Sequence, residues 1–135
     1  MLKFAATYVL KLLLMLVIDG TWIALVALPM FRKALGQDML TARAVPAVLF
    51  YQVYAAGIQV FVLPAGQGSW QVTALYGALF GLFTYATYDL TNYATLRDWT
   101  AALAGSDIAW GMAMTAAVSA LAMLGGQAAA RWLAS

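Results

Sequence analysis

From Ile108 to Ala130 the chain runs without one charged residue, and no other feature constrains its fold as much. A helix crosses the hydrocarbon of a bilayer with about 20 predominantly apolar residues. The same pattern recurs upstream. Leu12–Phe31 lies between Lys11 and Arg32 with Asp19 as its single internal charge. A second run begins near Ala44, where Pro46 suits a first helical turn, and ends at Leu63 before Pro64. A third runs from Trp70 to Tyr88, and its helical reading continues to residue 95.

Composition agrees. Only 9% of the 135 residues are charged, whereas soluble domains carry about 25%. These residues cannot supply a soluble fold's polar shell. The expected fold is all-α: a four-transmembrane-helix antiparallel bundle, with helices over 5–31, 44–63, 70–95 and 101–130, forming a single integral membrane domain over 1–135. Lys11 falls inside the first helix, where it is expected to snorkel. With Asp19 in the middle of that run and no small-residue cleavage pattern, the segment reads as a retained helix and not a signal peptide. Arg32, Lys33, Arg43 and Arg97 outnumber Lys3, Lys11 and Arg131 on the other side. This leans both charged loops toward the cytoplasm and both termini outward.

The residue inventory excludes much chemistry. There is no Cys and no His, so thiolate and imidazole metal sites and the usual His-assisted nucleophiles are ruled out. No cofactor fingerprint is present, no metal site is expected, and no basic cluster suggests nucleic acid. These absences favour binding over catalysis.

Every acidic residue is Asp, and three of them fall within or beside the spans. An Asp at the bilayer centre costs about 2.5–3.5 kcal/mol even on insertion scales, so each is a functional-site candidate. Asp89 precedes Asp98 by nine residues and Asp107 follows it by nine. In a hairpin turning near Asp98, both carboxyls would therefore lie about 13 Å from the turn. Asp19 reaches a comparable region from the first helix, so all three could face one pocket. At least one is then expected to be protonated, or to meet a bound cation, because like charges in a low dielectric do not all ionise.

Tyr85 and Asn92 share the face of Asp89 at i−4 and i+3. Asp19-x-x-Trp22 and Asp107-x-x-Trp110 repeat one spacing in the first and last helices, each placing an indole N–H one turn from a carboxyl. An aromatic belt at the membrane surface explains Trp70, Trp99 and Trp132 better than a pocket does. Tyr51, Tyr54, Gln52 and Gln59 could line the same pocket or simply bond between helices. Gly77-x-x-x-Gly81 is a helix-packing spacing that lets a neighbouring backbone approach closely. The candidate ligand-binding residues are thus Asp19, Trp22, Tyr85, Asp89, Asn92, Asp107 and Trp110.

These strings resemble a known bacterial membrane protein family, domain of unknown function 2177. The resemblance rests on Asp19-x-x-Trp22, Phe31-Arg32, Leu49-Phe50-Tyr51, Tyr54-Ala55-Ala56-Gly57, the run from Gly77 to Gly81, the run from Tyr85 to Leu96, and Asp107-x-x-Trp110-Gly111. The family tends to Tyr at Phe31 and to Pro at Thr100. The resemblance implies a multi-pass protein of the bacterial inner membrane and suggests a lipid-related role. It carries no activity or catalytic assignment.

Three functions fit. The polar pocket could bind or translocate a cation, a proton, or a small or lipid-like ligand; four helices are few for translocation, which calls for a homodimer. Alternatively, the chain is an accessory subunit of a larger membrane complex, with Gly77 and Gly81 either as a candidate interface or as a face packed within the monomer. A lipid-modifying enzyme using its carboxyls is the third.

Overall fold

A computed structural model describes residues 1–135 as four helices with short connections and no strand. We number them α1 (Leu2–Leu35), α2 (Ala44–Ala65), α3 (Trp70–Thr95) and α4 (Ala101–Ala134). Three of them, α1, α2 and α4, are long and apolar enough to cross a membrane. The 26-residue α3 has the length, but its Thr, Tyr, Gln and Asn residues lower its hydropathy.

The termini of the helices have local causes. Ser69 and Thr100 cap α3 and α4, their hydroxyl oxygens accepting from Val72 N at 3.4 Å and Leu103 N at 3.1 Å. Each removes one of the orphan donors that a helix start leaves. α1 continues four residues past the expected Phe31. Arg32 and Lys33 suit the negative end of a helix dipole, and the helix stops at Gly36, whose φ of +88° an L side chain rarely adopts.

α2 also continues past its expected end at Leu63, directly through Pro64. The continuation has a structural device behind it. Leu63 N–H bonds to the Ile58 carbonyl, five residues back, in a π-helical turn over Ile58–Val62. α1 does the same ahead of Pro29: Leu28 N–H bonds to the Ile23 carbonyl within the π turn Ile23–Ala27. Proline lacks an N–H and clashes with the carbonyl four residues earlier. A one-residue widening just before the ring absorbs that clash without ending the helix.

α3 and α4 form the tightest pair. A Cβ on Gly77 would stand 2.8 Å from the Thr115 carbonyl oxygen, and one on Gly81 would overlap the Gly111 carbonyl group. The two backbones approach closely because neither glycine carries a side chain. The Gly77–Gly81 face is therefore occupied inside this chain, and as an interface for a larger partner it is already filled.

α4 is the central element. Met114 and Val118 join Met15 of α1 and Tyr54, Ala55, Ile58 and Val62 of α2 in the main core. The outward faces carry Leu13, Val17, Leu25, Val53, Phe61 and Phe83, all largely exposed, which suits a lipid surround. A smaller core forms where Trp99, Leu103 and Ala104 meet Met30, Phe31, Ala34 and Leu35. Trp99, expected in an aromatic belt, is instead 5% exposed between Phe31 and Tyr88. Trp70 and Trp132 remain exposed.

Lys11 departs from expectation in the same direction. It does not snorkel outward: it is fully buried, its ammonium donating to Gln59 Oε1 and lying 5.5 Å from the Tyr8 ring centroid.

Candidate functional site

Ala44–Phe50, the first two turns of α2, buries no residue, whereas Tyr54 and Ala55 are in the core. Between this part of α2 and helices α1 and α3 lies a cavity of about 580 Å³. Its walls follow helical spacing. α1 contributes Asp19, Ile23, Ala27 and Phe31; α2 contributes Pro46, Phe50 and Tyr54; α3 contributes Tyr85 and Tyr88. Each set recurs every three or four residues, so each is one face of its helix. Asp107 of α4 completes the floor. The π turn over Ile23–Ala27 sits in the α1 wall, beginning and ending on cavity residues.

Asp19 is held in place by neutral donors. Tyr51 Oη donates to one carboxylate oxygen at 2.9 Å and Trp110 Nε1 to the other at 2.8 Å. The Trp110 ring stacks on Trp22 with centroids 4.5 Å apart and planes 3° from parallel. Trp22 in turn sets its indole nitrogen beside Asp107, without closing a hydrogen bond of normal geometry. Each indole thus lies beside the other helix's carboxyl, but only Trp110 donates a hydrogen bond to it. Local i, i+3 proximity suggested a partnership within each helix, but antiparallel packing of α1 on α4 exchanges the partners.

Asp89 behaves differently. α3 continues beyond it to Thr95, as a shared depth with Asp107 requires. Its side chain is fully buried, and neither carboxyl oxygen has a hydrogen-bond donor. It neighbours Asp107 across the α3–α4 interface and does not line the cavity. The expectation of three carboxyls facing one pocket is therefore met by two, Asp19 and Asp107, and not by Asp89. The three do not converge as a metal-ion site.

Tyr85 lines the cavity and covers Gly111, where any Cβ would strike its ring. Tyr54 links three helices, its hydroxyl bonding Thr115 at 2.7 Å and Thr84 at 3.1 Å. Asn92 lies beyond the wall, half-buried beside Tyr88, and takes no part in the cavity. Gln52 and Gln59 also lie outside it, bonded to Tyr8 and Lys11. Sequence reasoning missed Pro46, Phe50, Ile23 and Ala27. The four-residue spacing of Pro46, Phe50 and Tyr54 was the available signal, but such a stripe equally describes a lipid-facing or core face.

No Lys or Arg lines the cavity. Six of its residues are aromatic: Trp22, Phe31, Phe50, Tyr54, Tyr85 and Tyr88. Carboxylates under aromatic faces attract cations by direct charge and by the ring quadrupole, and the apolar wall suits a hydrocarbon body.

No curated protein and no solved structure matches the chain. A family model described as predicted membrane protein (DUF2177) matches residues 4–124, nearly the full length. With its apolar helices and this match, the chain belongs to the DUF2177 family of membrane proteins.

Proposed function

We propose that the protein binds an amphiphile with an ammonium head in the cavity between α1, α2 and α3, within the bilayer. The observation that carries this reading is the pair of carboxylates, Asp19 and Asp107, at the floor of an aromatic cavity lined by no cation. A cationic head would meet those acidic side chains and the Trp22 and Tyr85 faces. An apolar chain would lie along Ile23, Ala27 and Phe50 and leave beside the exposed first turns of α2.

All four helices cross the membrane in this reading. α3 spans about 39 Å at 1.5 Å per residue, with its glycine face against α4 and Leu75, Leu79, Phe83 and Leu90 exposed outward. The bacterial inner membrane is the proposed location, and the short connections leave both termini on one side. The ammonium group could belong to a phospholipid headgroup or to a free hydrophobic amine.

The test is binding of dodecyltrimethylammonium to the purified protein in nanodiscs, read by thermal stabilisation, with dodecyl maltoside as the uncharged control. Stabilisation by the cationic amphiphile alone, weakened at least tenfold in affinity in Asp107→Asn, is expected. Equal responses to both amphiphiles would overturn the reading. Native mass spectrometry of protein extracted from its own membrane distinguishes a retained phospholipid from a retained amine.

A further inference from the structure

Asp89 and Asp107 lie side by side across the α3–α4 interface, and no Lys or Arg stands beside either. Ionised carboxylates are acceptors only. Both Asp89 oxygens are buried without a donor, and the residue is fully enclosed. The groups facing the pair from the surrounding helices are Asp19 and Trp22 of α1, Tyr85 and Tyr88 of α3, and through Tyr85 the α2 hydroxyls of Tyr51 and Tyr54. None is cationic. Lys11 is two turns from Asp19 along α1 and is engaged by Gln59. Two bare carboxylates in contact would leave two like charges and several lone pairs with nothing to meet them. One proton between them supplies both the missing donor and the missing positive charge.

We propose that Asp89 and Asp107 share one proton, and that a cationic head entering the cavity displaces it. The second clause rests on the ammonium-binding reading above; the first does not. Asp107 makes the link, because it neighbours Asp89 and also lines the cavity. Charge balances. The proton-holding pair carries one negative charge. When a quaternary ammonium docks on Asp107, the O–H bond of the pair breaks, the proton leaves to water, and two carboxylates then face one fixed cation. One positive charge enters and one departs, so the buried site keeps its net charge. Such an exchange couples occupancy of the cavity to proton release, as intramembrane carboxyls do in proton relays.

Infrared spectroscopy of the protein in nanodiscs at neutral pH tests the shared proton directly. The expected result is one carboxylic-acid C=O band per chain, lost in both Asp89→Asn and Asp107→Asn and retained in Asp19→Asn. No such band, or a band that survives both substitutions, overturns the proposal. Dodecyltrimethylammonium carries no titratable proton, so a pH-indicator dye reads the exchange without ambiguity. About one proton released per amphiphile bound, with the carboxylic-acid band disappearing, supports the link. Binding without proton release removes the link while leaving the cavity assignment standing. A protein that shows the band but binds no amphiphile removes the ammonium reading instead.

Discussion

Trp110 of α4 donates its indole N–H to Asp19 of α1 across 2.8 Å, while its ring lies flat on Trp22 of α1. One side chain thus both holds a cavity carboxylate and clamps the two helices. The two roles separate experimentally. Trp110→Phe keeps most of the stacking area and removes the donor. Hydrogen bonds to charged groups contribute about 1.5–3 kcal/mol, so a loss in that range is expected from unfolding in mixed micelles. Tyr51→Phe removes the other Asp19 donor at 2.9 Å and should cost a similar amount. The double variant should depart from additivity by at least about 0.5 kcal/mol, because both donors serve one carboxylate. Strict additivity would mean that Asp19 finds other donors.

The α3–α4 contact leaves no room for a methyl group. Gly81→Ala forces a Cβ into the Gly111 carbonyl, and overpacking of this kind costs about 1–3 kcal/mol. Gly20→Ala meets nothing within 4 Å. In a helix interior it should be neutral or stabilising, by up to about 1 kcal/mol. Thermal melts of the two variants side by side give the comparison. Equal melts would contradict the close backbone approach.

Lys11 and Gln59 form an asymmetric pair. Gln59→Leu takes the hydrogen-bond acceptor from a fully buried ammonium, and losing a hydrogen bond to a charged group costs about 1.5–3 kcal/mol. Lys11→Met removes the charge itself and keeps the length, so it should be neutral or stabilising. Denaturation midpoints that fall in the first variant and hold or rise in the second are expected. The reverse order would show that the ammonium has a further partner.

The cavity should close without harm to the fold. Ala47 lies in the exposed first turns of α2 and lines the cavity. Ala47→Trp is expected to change stability by no more than about 0.5 kcal/mol. The same change should weaken dodecyltrimethylammonium binding tenfold or more, about 1.4 kcal/mol. Titration of the amphiphile against variant and unmodified protein measures it. Undiminished affinity would place the binding elsewhere.

The helical, membrane-bound character of the chain was legible in the residues alone. An uncharged run such as Ile108–Ala130 has one favourable environment, and its backbone must pair within itself there. Ser69 and Thr100, the caps, and Gly77 and Gly81, the close contact, act through local spacing, which a sequence displays. The depth match of Asp89 and Asp107 is likewise arithmetic on a hairpin. Prolines misled: Pro64 looked like a terminus, and only the π turn before it shows how the helix passes through. Burial of Lys11 and Trp99 also escaped the sequence, because a rotamer chooses its side from the neighbours it finds. So did the hydrogen bond from Trp110 to Asp19 on another helix, which depends on α1 and α4 packing in register. Sequence therefore decided which residues had to leave water and where their polar groups would stand along each helix. Tertiary structure decided which of those groups meet, because contacts between helices depend on rotation and register that no single helix encodes.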